Sequence, residues 1–421
     1  MKRYSSSSPL HCILRRSLFV IYILILLGLA AATWIEHEQG SRQASELIYH
    51  APWFLGLWIL LAIIGIYHLL RSRLLRRPAV MLLHIAFLLI LAGAATTYAT
   101  AEAGLLHLRP GEEKNMYRAG DKLQHYRSMP FSIRLDSFLM PLYSESNMPK
   151  DYVSCVSVRR EGSERWIPKV ISMNRILQVR DLRLYQSSYD EDLRGTWLSI
   201  YRDPYGIPLT YAGYILLLMG MCATLRARRT LLASGLRQYR MQYPGDRLLR
   251  LFLWSSVIFA LCLGGRMIHK TYYTEVMPVL RSWLLPVHVT TIATGYFLLF
   301  CLFVLALLAL LPRCRKNEAR SLRFMQLSRI LLYPALFLLT AGIFIGAVWA
   351  NISWGRYWAW DPKETWALIT LLVYAIPLHT RSLPALRRPE VYHRWMLLAF
   401  LCILMTYFGV NLLLGGLHSY A

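Results

Sequence analysis

The sequence has no Cys-x-x-Cys pair, no internal repeat, no low-complexity linker and few acidic residues. Its seven cysteines are scattered over 421 residues, and only Cys155 falls in the long polar stretch 100–207. Neither a disulfide framework nor a dithiol redox centre is indicated, so the chain is not expected to reduce disulfides itself. Asp and Glu number 23 against 47 Lys and Arg, a formal charge of +24. In a soluble protein that imbalance would indicate nucleic acid as a partner. The placement of the charge excludes this reading.

Apolar residues make up 56% of the chain, and they fall in unbroken blocks rather than amphipathic stripes. A membrane helix needs roughly 20 mainly apolar residues to cross about 30 Å of hydrocarbon. Nine segments are candidates: 17–33, 52–70, 79–99, 208–225, 250–267, 285–311, 329–350, 366–380 and 395–413. The eighth is short, and its Trp-rich lead-in is expected to supply the remaining depth. With the N-terminus inside, the inner segments are the start, 71–78, 226–249, 312–328 and 381–394. Counted with the basic residues at their helix edges, they hold 25 Lys and Arg against three acids, Asp246, Glu318 and Glu390. The stretch 100–207 is nearly balanced, with 16 basic and 14 acidic residues. This is the positive-inside pattern at every turn, and it predicts a cytoplasmic N-terminus with 100–207 and the C-terminus outside. The first span, after Lys2, Arg3, Arg15 and Arg16 and ending in Ala30, Ala31 and Ala32, also has the marks of a signal peptide. Cleavage there would leave the remaining topology unchanged.

The outer stretch alternates in the manner of strands, as in Phe131, Ile133, Leu135 and again in Trp197, Ser199, Tyr201. A turn cluster at Asp203, Pro204, Tyr205, Gly206, Ile207 and Pro208 precedes the fourth span. The expected fold is an all-α membrane bundle of about nine transmembrane helices with a small, mostly β extracytoplasmic domain. Four units are expected: 1–99, 100–207, 208–249 and 250–421.

Five of the thirteen Trp lie in the eighteen residues 349–366. An interfacial belt would account for one or two indole rings. It does not account for Asp361, Lys363 and Glu364 among them, nor for Gly355, where the chain can bend closely. Broad aromatic faces with a few polar handles suit a flat, mostly apolar ligand with charged edges.

The segment Trp354 to Glu364, WGRYWAWDPKE, resembles without a gap the tryptophan-rich "WWD" motif of haem-handling cytochrome c biogenesis proteins, in particular the system II cytochrome c synthases of the fused CcsBA type. Gly346 to Asn351 and Thr365 to Thr370 are similar to the same family. Ala32 to Glu36, Met173-Asn174 and Tyr185 to Asp190 resemble its ResB or CcsB partner, so the likeness runs over nearly the whole chain: 1–99 and 100–207 are ResB/CcsB-like and 250–421 is CcsA-like. Two features depart from the fused family: the outer domain is short, and nine spans stand where ten are expected.

Histidine is a common axial ligand of haem iron. His288 opens span six and His418 follows span nine, both on the outer side beside the Trp-rich segment. His84 lies about 10 Å into span three at 1.5 Å per residue from Arg77, and His379 ends span eight. The resemblance implies that His84 and His379 receive haem from the inner half and that His288 and His418 hold it outside, all four on the iron. It further implies haem b as transported substrate, with Trp354, Gly355, Tyr357, Trp358, Trp360 and Asp361 binding it. His288, His418, Trp354, Trp358, Trp360 and Asp361 are then expected to serve thioether attachment to the Cys-x-x-Cys-His segment of apocytochrome c. The expected setting is a bacterial inner membrane, with membrane lipid, apocytochrome c and thiol-reducing proteins outside as partners. Two rivals are a haem exporter or chaperone that does not ligate, and a b-type electron carrier, which exposed histidines fit poorly.

Overall fold

Long apolar runs have no period-two alternation to place on a sheet, and they fold as helices, five of them opening on a proline whose missing N–H costs nothing at that position. In the computed structural model, which describes residues 9–71, 77–120, 125–227, 230–315, 317–380 and 382–414, the helices are α1 Pro9–Gln39, α2 Pro52–Arg71, α3 Pro78–Thr100, α4 Gly206–Arg226, α5 Leu231–Gln242, α6 Leu248–Tyr273, α7 Leu284–Leu310, α8 Glu318–Trp354, α9 Pro362–Ala375 and α10 Pro389–Leu404. A π-helical stretch, Met405–Leu414, continues α10. Among the described residues eight helical stretches are long and apolar enough to cross a membrane, and the chain is a multi-pass membrane protein.

The expected eighth span, 366–380, differs from the rest. Its α-helix is α9, 14 residues or about 21 Å, and a tighter turn, Ile376–His379, continues it by about 8 Å. Against the expected 366–380 the helical stretch gains Pro362–Thr365 at its start, so the Trp-rich lead-in supplies part of the missing depth as expected. The seventh span is longer than the apolar run predicts: α8 has 37 residues, about 55 Å. Asn317 caps it, its side chain accepting from Arg320 N at 3.1 Å, and its polar first turns pack under α5 through Tyr239 and Met325.

The polar stretch 102–202 is one sheet of eight antiparallel strands: β1 Glu102–Leu108, β2 Glu113–Ala119, β3 His125–Leu139, β4 Val153–Arg160, β5 Ile167–Ser172, β6 Leu177–Val179, β7 Leu182–Tyr189 and β8 Thr196–Arg202. Their order is β5-β4-β3-β2-β1-β8-β7-β6. A bridge between Ser172 and Arg175 draws the two outermost strands together. The sheet therefore curls around its own core of Leu106, Leu108, Phe131, Ile133, Leu184 and Leu198. The expected alternation on β3 is the buried face. On β8 the core takes the other set, Thr196, Leu198 and Ile200, and leaves Trp197, Ser199 and Tyr201 at its margin.

Sheet and bundle join at a buried carboxylate. Asp203 accepts from Thr97 Oγ1 at 2.7 Å and from Gly206 N at 2.8 Å, which ties the end of α3 to the start of α4. This fixes the sheet over one end of the bundle, where α8 ends and α9 begins.

Candidate functional site

The Trp-rich segment is a deliberate break between two helices. Gly355 ends α8 in the left-handed region, φ 80°, where a side chain is strained. A Cβ there would also stand 2.4 Å from Cε2 of Tyr185 on β7, so the sheet presses directly on the bend. Asp361 restarts the helix: its Oδ1 accepts from Lys363 N at 2.9 Å as N-cap of α9, with Pro362 in the first turn. Glu364 reaches back to Ala359 N at 2.9 Å, and Lys363 donates to Asn411 Oδ1 at 2.8 Å. Asp361 is thus an almost fully buried helix cap.

The indole rings divide into two groups. Trp349 and Trp354 lie 5.7 Å apart, beside Leu284, Leu285 and Met173. Trp358 and Trp360 meet edge to face at 5.8 Å. Trp360 stacks on Tyr49 at 4.6 Å, and Trp366 donates to Thr33 Oγ1 at 3.1 Å. The aromatic surface therefore runs across the end of the bundle from α7 to α1 rather than forming one shelf beside His288. Tyr357 is buried, with its hydroxyl 2.9 Å from Thr97 Oγ1 and 3.4 Å from Thr210 Oγ1. It packs the joint between α3, α4 and the bend.

Three of the four expected histidines are described. His288 lies 6.2 Å from Trp349, and its Nδ1 bonds the carbonyl of Gly342 at 2.8 Å. Gly346 makes room for the ring, since a Cβ there would come within 2.6 Å of His288 Cε1. His84 and His379 come together from distant parts of the chain, their ring centres 6.2 Å apart and their planes at 82°. His84 Nδ1 bonds Val80 O at 2.8 Å and His379 Nδ1 bonds Ala375 O at 3.0 Å. A carbonyl can only accept, so in all three rings the proton sits on Nδ1 and the neutral lone pair falls on Nε2. That is the tautomer a metal ligand needs, with its orientation set by the second nitrogen. His84 is half-buried and His379 exposed, so this pair lies on the flank of the bundle. His418 lies outside the described residues.

Several residues that the sequence did not single out as binding or catalytic hold the site together. Asn174 donates to Pro278 O at 3.0 Å and accepts from Ser353 Oγ at 2.8 Å. Arg183 donates to Asn351 Oδ1 at 3.1 Å, and Asn351 Nδ2 donates to Tyr211 at 2.6 Å. Tyr185, whose hydroxyl is pushed up to about 12 chiefly by burial, keeps its proton against the bend. Asn174 and Tyr185 fall in the two outer-domain motifs that carry the family likeness, which was the signal available for them.

Residues 211–418 match the model of the cytochrome C assembly protein family, and residues 73–200 match that of the ResB-like family. The chain is 43% identical over 154 residues to protein NrfI of Wolinella succinogenes, covering 35% of this chain and 17% of that protein. It is 41% identical over 180 residues to the cytochrome c biogenesis protein CcsA of Solanum lycopersicum, covering 34% and 57%. With CcsA of Coffea arabica it shares 35% over 214 residues, covering 39% and 65%. The chain thus spans less than two thirds of the length of these relatives.

Proposed function

The chain belongs to the ResB-like family over residues 73–200 and to the cytochrome C assembly proteins over residues 211–418, and from that premise we propose that it handles haem for cytochrome c maturation. It receives haem b through a bacterial inner membrane, with the N-terminus cytoplasmic and the sheet periplasmic. It then presents the porphyrin at the sheet end for attachment to the Cys-x-x-Cys-His segment of apocytochrome c. The proposed division follows the two families: 1–99 and 100–207 serve as the ResB-like part, 208–249 as fourth span and cytoplasmic loop, and 250–421 as the haem-handling bundle.

One observation carries this reading: histidines in the ligand tautomer, two of them a porphyrin iron's width apart. A metal–imidazole bond of about 2 Å on each side, with each ring centre about 1 Å beyond its nitrogen, puts two axial rings at about 6 Å, and His84 and His379 stand at 6.2 Å. His288, beside Trp349 and Trp354, and His418 form the second, outer pair of the proposal, and Trp358, Trp360 and Asp361 shape the surface next to it.

Thioether formation adds a cysteine S–H across each vinyl group: sulfur bonds one carbon and the proton goes to the other, with no net oxidation. Holding thiols and vinyls in register supplies much of such an acceleration. The chain acts as positioner, and thiol-reducing proteins outside keep the apocytochrome cysteines reduced.

Co-expression with an apocytochrome c in a strain lacking its own assembly system tests this. Covalent haem in the product, lost with His288→Ala or His418→Ala, is expected. Haem on the purified chain without covalent product would mean an exporter or chaperone. A chain that carries no haem would refute the proposal.

A further inference from the structure

Three guanidinium groups gather next to the His84–His379 pair, at the end of the bundle away from the sheet. Arg77, the cap residue just before α3, stands seven residues ahead of His84, about 10 Å along the helix axis. Arg387 donates through Nε to the carbonyl of Thr380, the residue after His379, at 3.2 Å. Arg329, on α8, donates to the carbonyl of Leu386 at 2.8 Å and lies over the ring of Tyr392 at 5.2 Å. Arg329 has Arg387 as a charged neighbour, and Tyr333, one turn along α8, has both Arg329 and Arg77. Among the described residues none of the three arginines makes an ion pair. Of the three acids at this end, Asp246 is paired with Arg323 and Glu390 with Arg394, each at 2.7 Å.

Like charges held together without a counter-charge raise one another's energy, the more so where water is excluded. The preference for basic residues at the inner membrane face accounts for Arg77 and Arg387. It does not account for Arg329, which sits eleven residues inside α8 with its Nε buried and without a hydrogen-bond partner.

We propose that Arg77, Arg329 and Arg387 form a cradle for the two propionate carboxylates of the porphyrin whose iron lies between His84 and His379. The inference rests on the haem reading above. Planar guanidinium forks hold carboxylates through paired hydrogen bonds. The cradle thereby fixes which edge of the porphyrin faces this end of the bundle, and its vinyl-bearing edge points toward the sheet end, where the outer pair of the proposal lies.

The purified full chain is titrated with haem b and with haem b dimethyl ester, which keeps iron and vinyl groups but lacks both carboxylate charges. Binding is read from the low-spin absorption band. Haem b is expected to bind at least about tenfold more tightly. Arg329→Gln should erase that preference by weakening haem alone, Arg329→Lys should restore part of it, and His84→Ala should weaken both porphyrins alike. Equal binding of the two porphyrins by the unaltered chain, with His84→Ala still weakening both, overturns the cradle and leaves the histidine pair standing. Binding of neither porphyrin, or binding indifferent to His84→Ala, removes the haem reading of the pair and the cradle with it. The same titration in nanodiscs of phosphatidylcholine and of phosphatidylglycerol separates the sources of anion. A haem preference present in both supports the cradle, and one abolished by phosphatidylglycerol assigns the arginines to lipid phosphate instead.

Discussion

At His288 the hydrogen bond from Nδ1 to the carbonyl of Gly342 at 2.8 Å decides which nitrogen carries the proton. The ring can turn to make that bond only because Gly346, one helical turn further along α8, has no side chain. Gly346→Ala would put a methyl group 2.6 Å from Cε1, and a close-packed interior passes such a displacement to the ring. Gly346→Ala should therefore lower the yield of covalent product by about tenfold, about 1.4 kcal/mol of lost positioning. Gly265→Ala, where nothing lies within 4 Å of the added carbon, serves as control and should leave the yield unchanged. Equal yields from the two variants would show that the position of the ring does not matter. The bonds of His84 to Val80 and of His379 to Ala375 are local, four residues back along the chain, and a sequence can suggest them. The bond that sets His288 comes from a residue 54 positions away on another helix, and no local pattern contains it.

Among the elements, α9 carries the clearest lesson. Hydropathy starts the eighth span at 366, because Asp361, Lys363 and Glu364 interrupt the apolar run. The helix starts at Pro362, and the sequence Asp361-Pro362-Lys363-Glu364 is itself a start signal: a capping carboxylate, proline in the first turn, and a glutamate three residues on. Those residues attract attention as polar handles among tryptophans, yet the polar contacts described for Asp361 and Glu364 are to backbone N–H groups at the helix start. Asp361→Ala should destabilise the chain by about 1 kcal/mol, the usual cost of a lost cap, while Asp361→Asn, also a good cap, should leave stability nearly unchanged. Thermal unfolding followed alongside product yield separates the two roles. An Asp361→Asn chain of unaltered stability that has lost its activity would give the carboxylate a part in the chemistry. The aromatic surface was legible as a concentration of rings and not as a shape. Only the folded chain shows that the bend sends Trp349 and Trp354 one way and Trp358 and Trp360 the other, since their neighbours come from α7 and from Tyr49.

In the molecule as a whole, the blocks of apolar residues settle the helical bundle, and the alternation on β3 settles the sheet, because both follow from the periodicity of one segment at a time. Which helices touch does not follow, since α1 to α10 are nearly all apolar all round and any face could pack. The meeting of His84 with His379 depends on such a choice. So does the seam between sheet and bundle, where Arg183, Asn351 and Tyr211 form one hydrogen-bonded chain across three elements.

The flank position of the His84–His379 pair has a kinetic corollary. A ligand that docks on the side of a bundle arrives by diffusion in two dimensions through the lipid, and its effective supply is its mole fraction in the bilayer rather than its amount in the surrounding water. Adding protein-free vesicles to proteoliposomes, and allowing porphyrin to spread among them, should slow loading in proportion to the total lipid, even though protein and porphyrin are unchanged in quantity. A rate indifferent to that dilution would mean that the pair draws its cargo from the aqueous side.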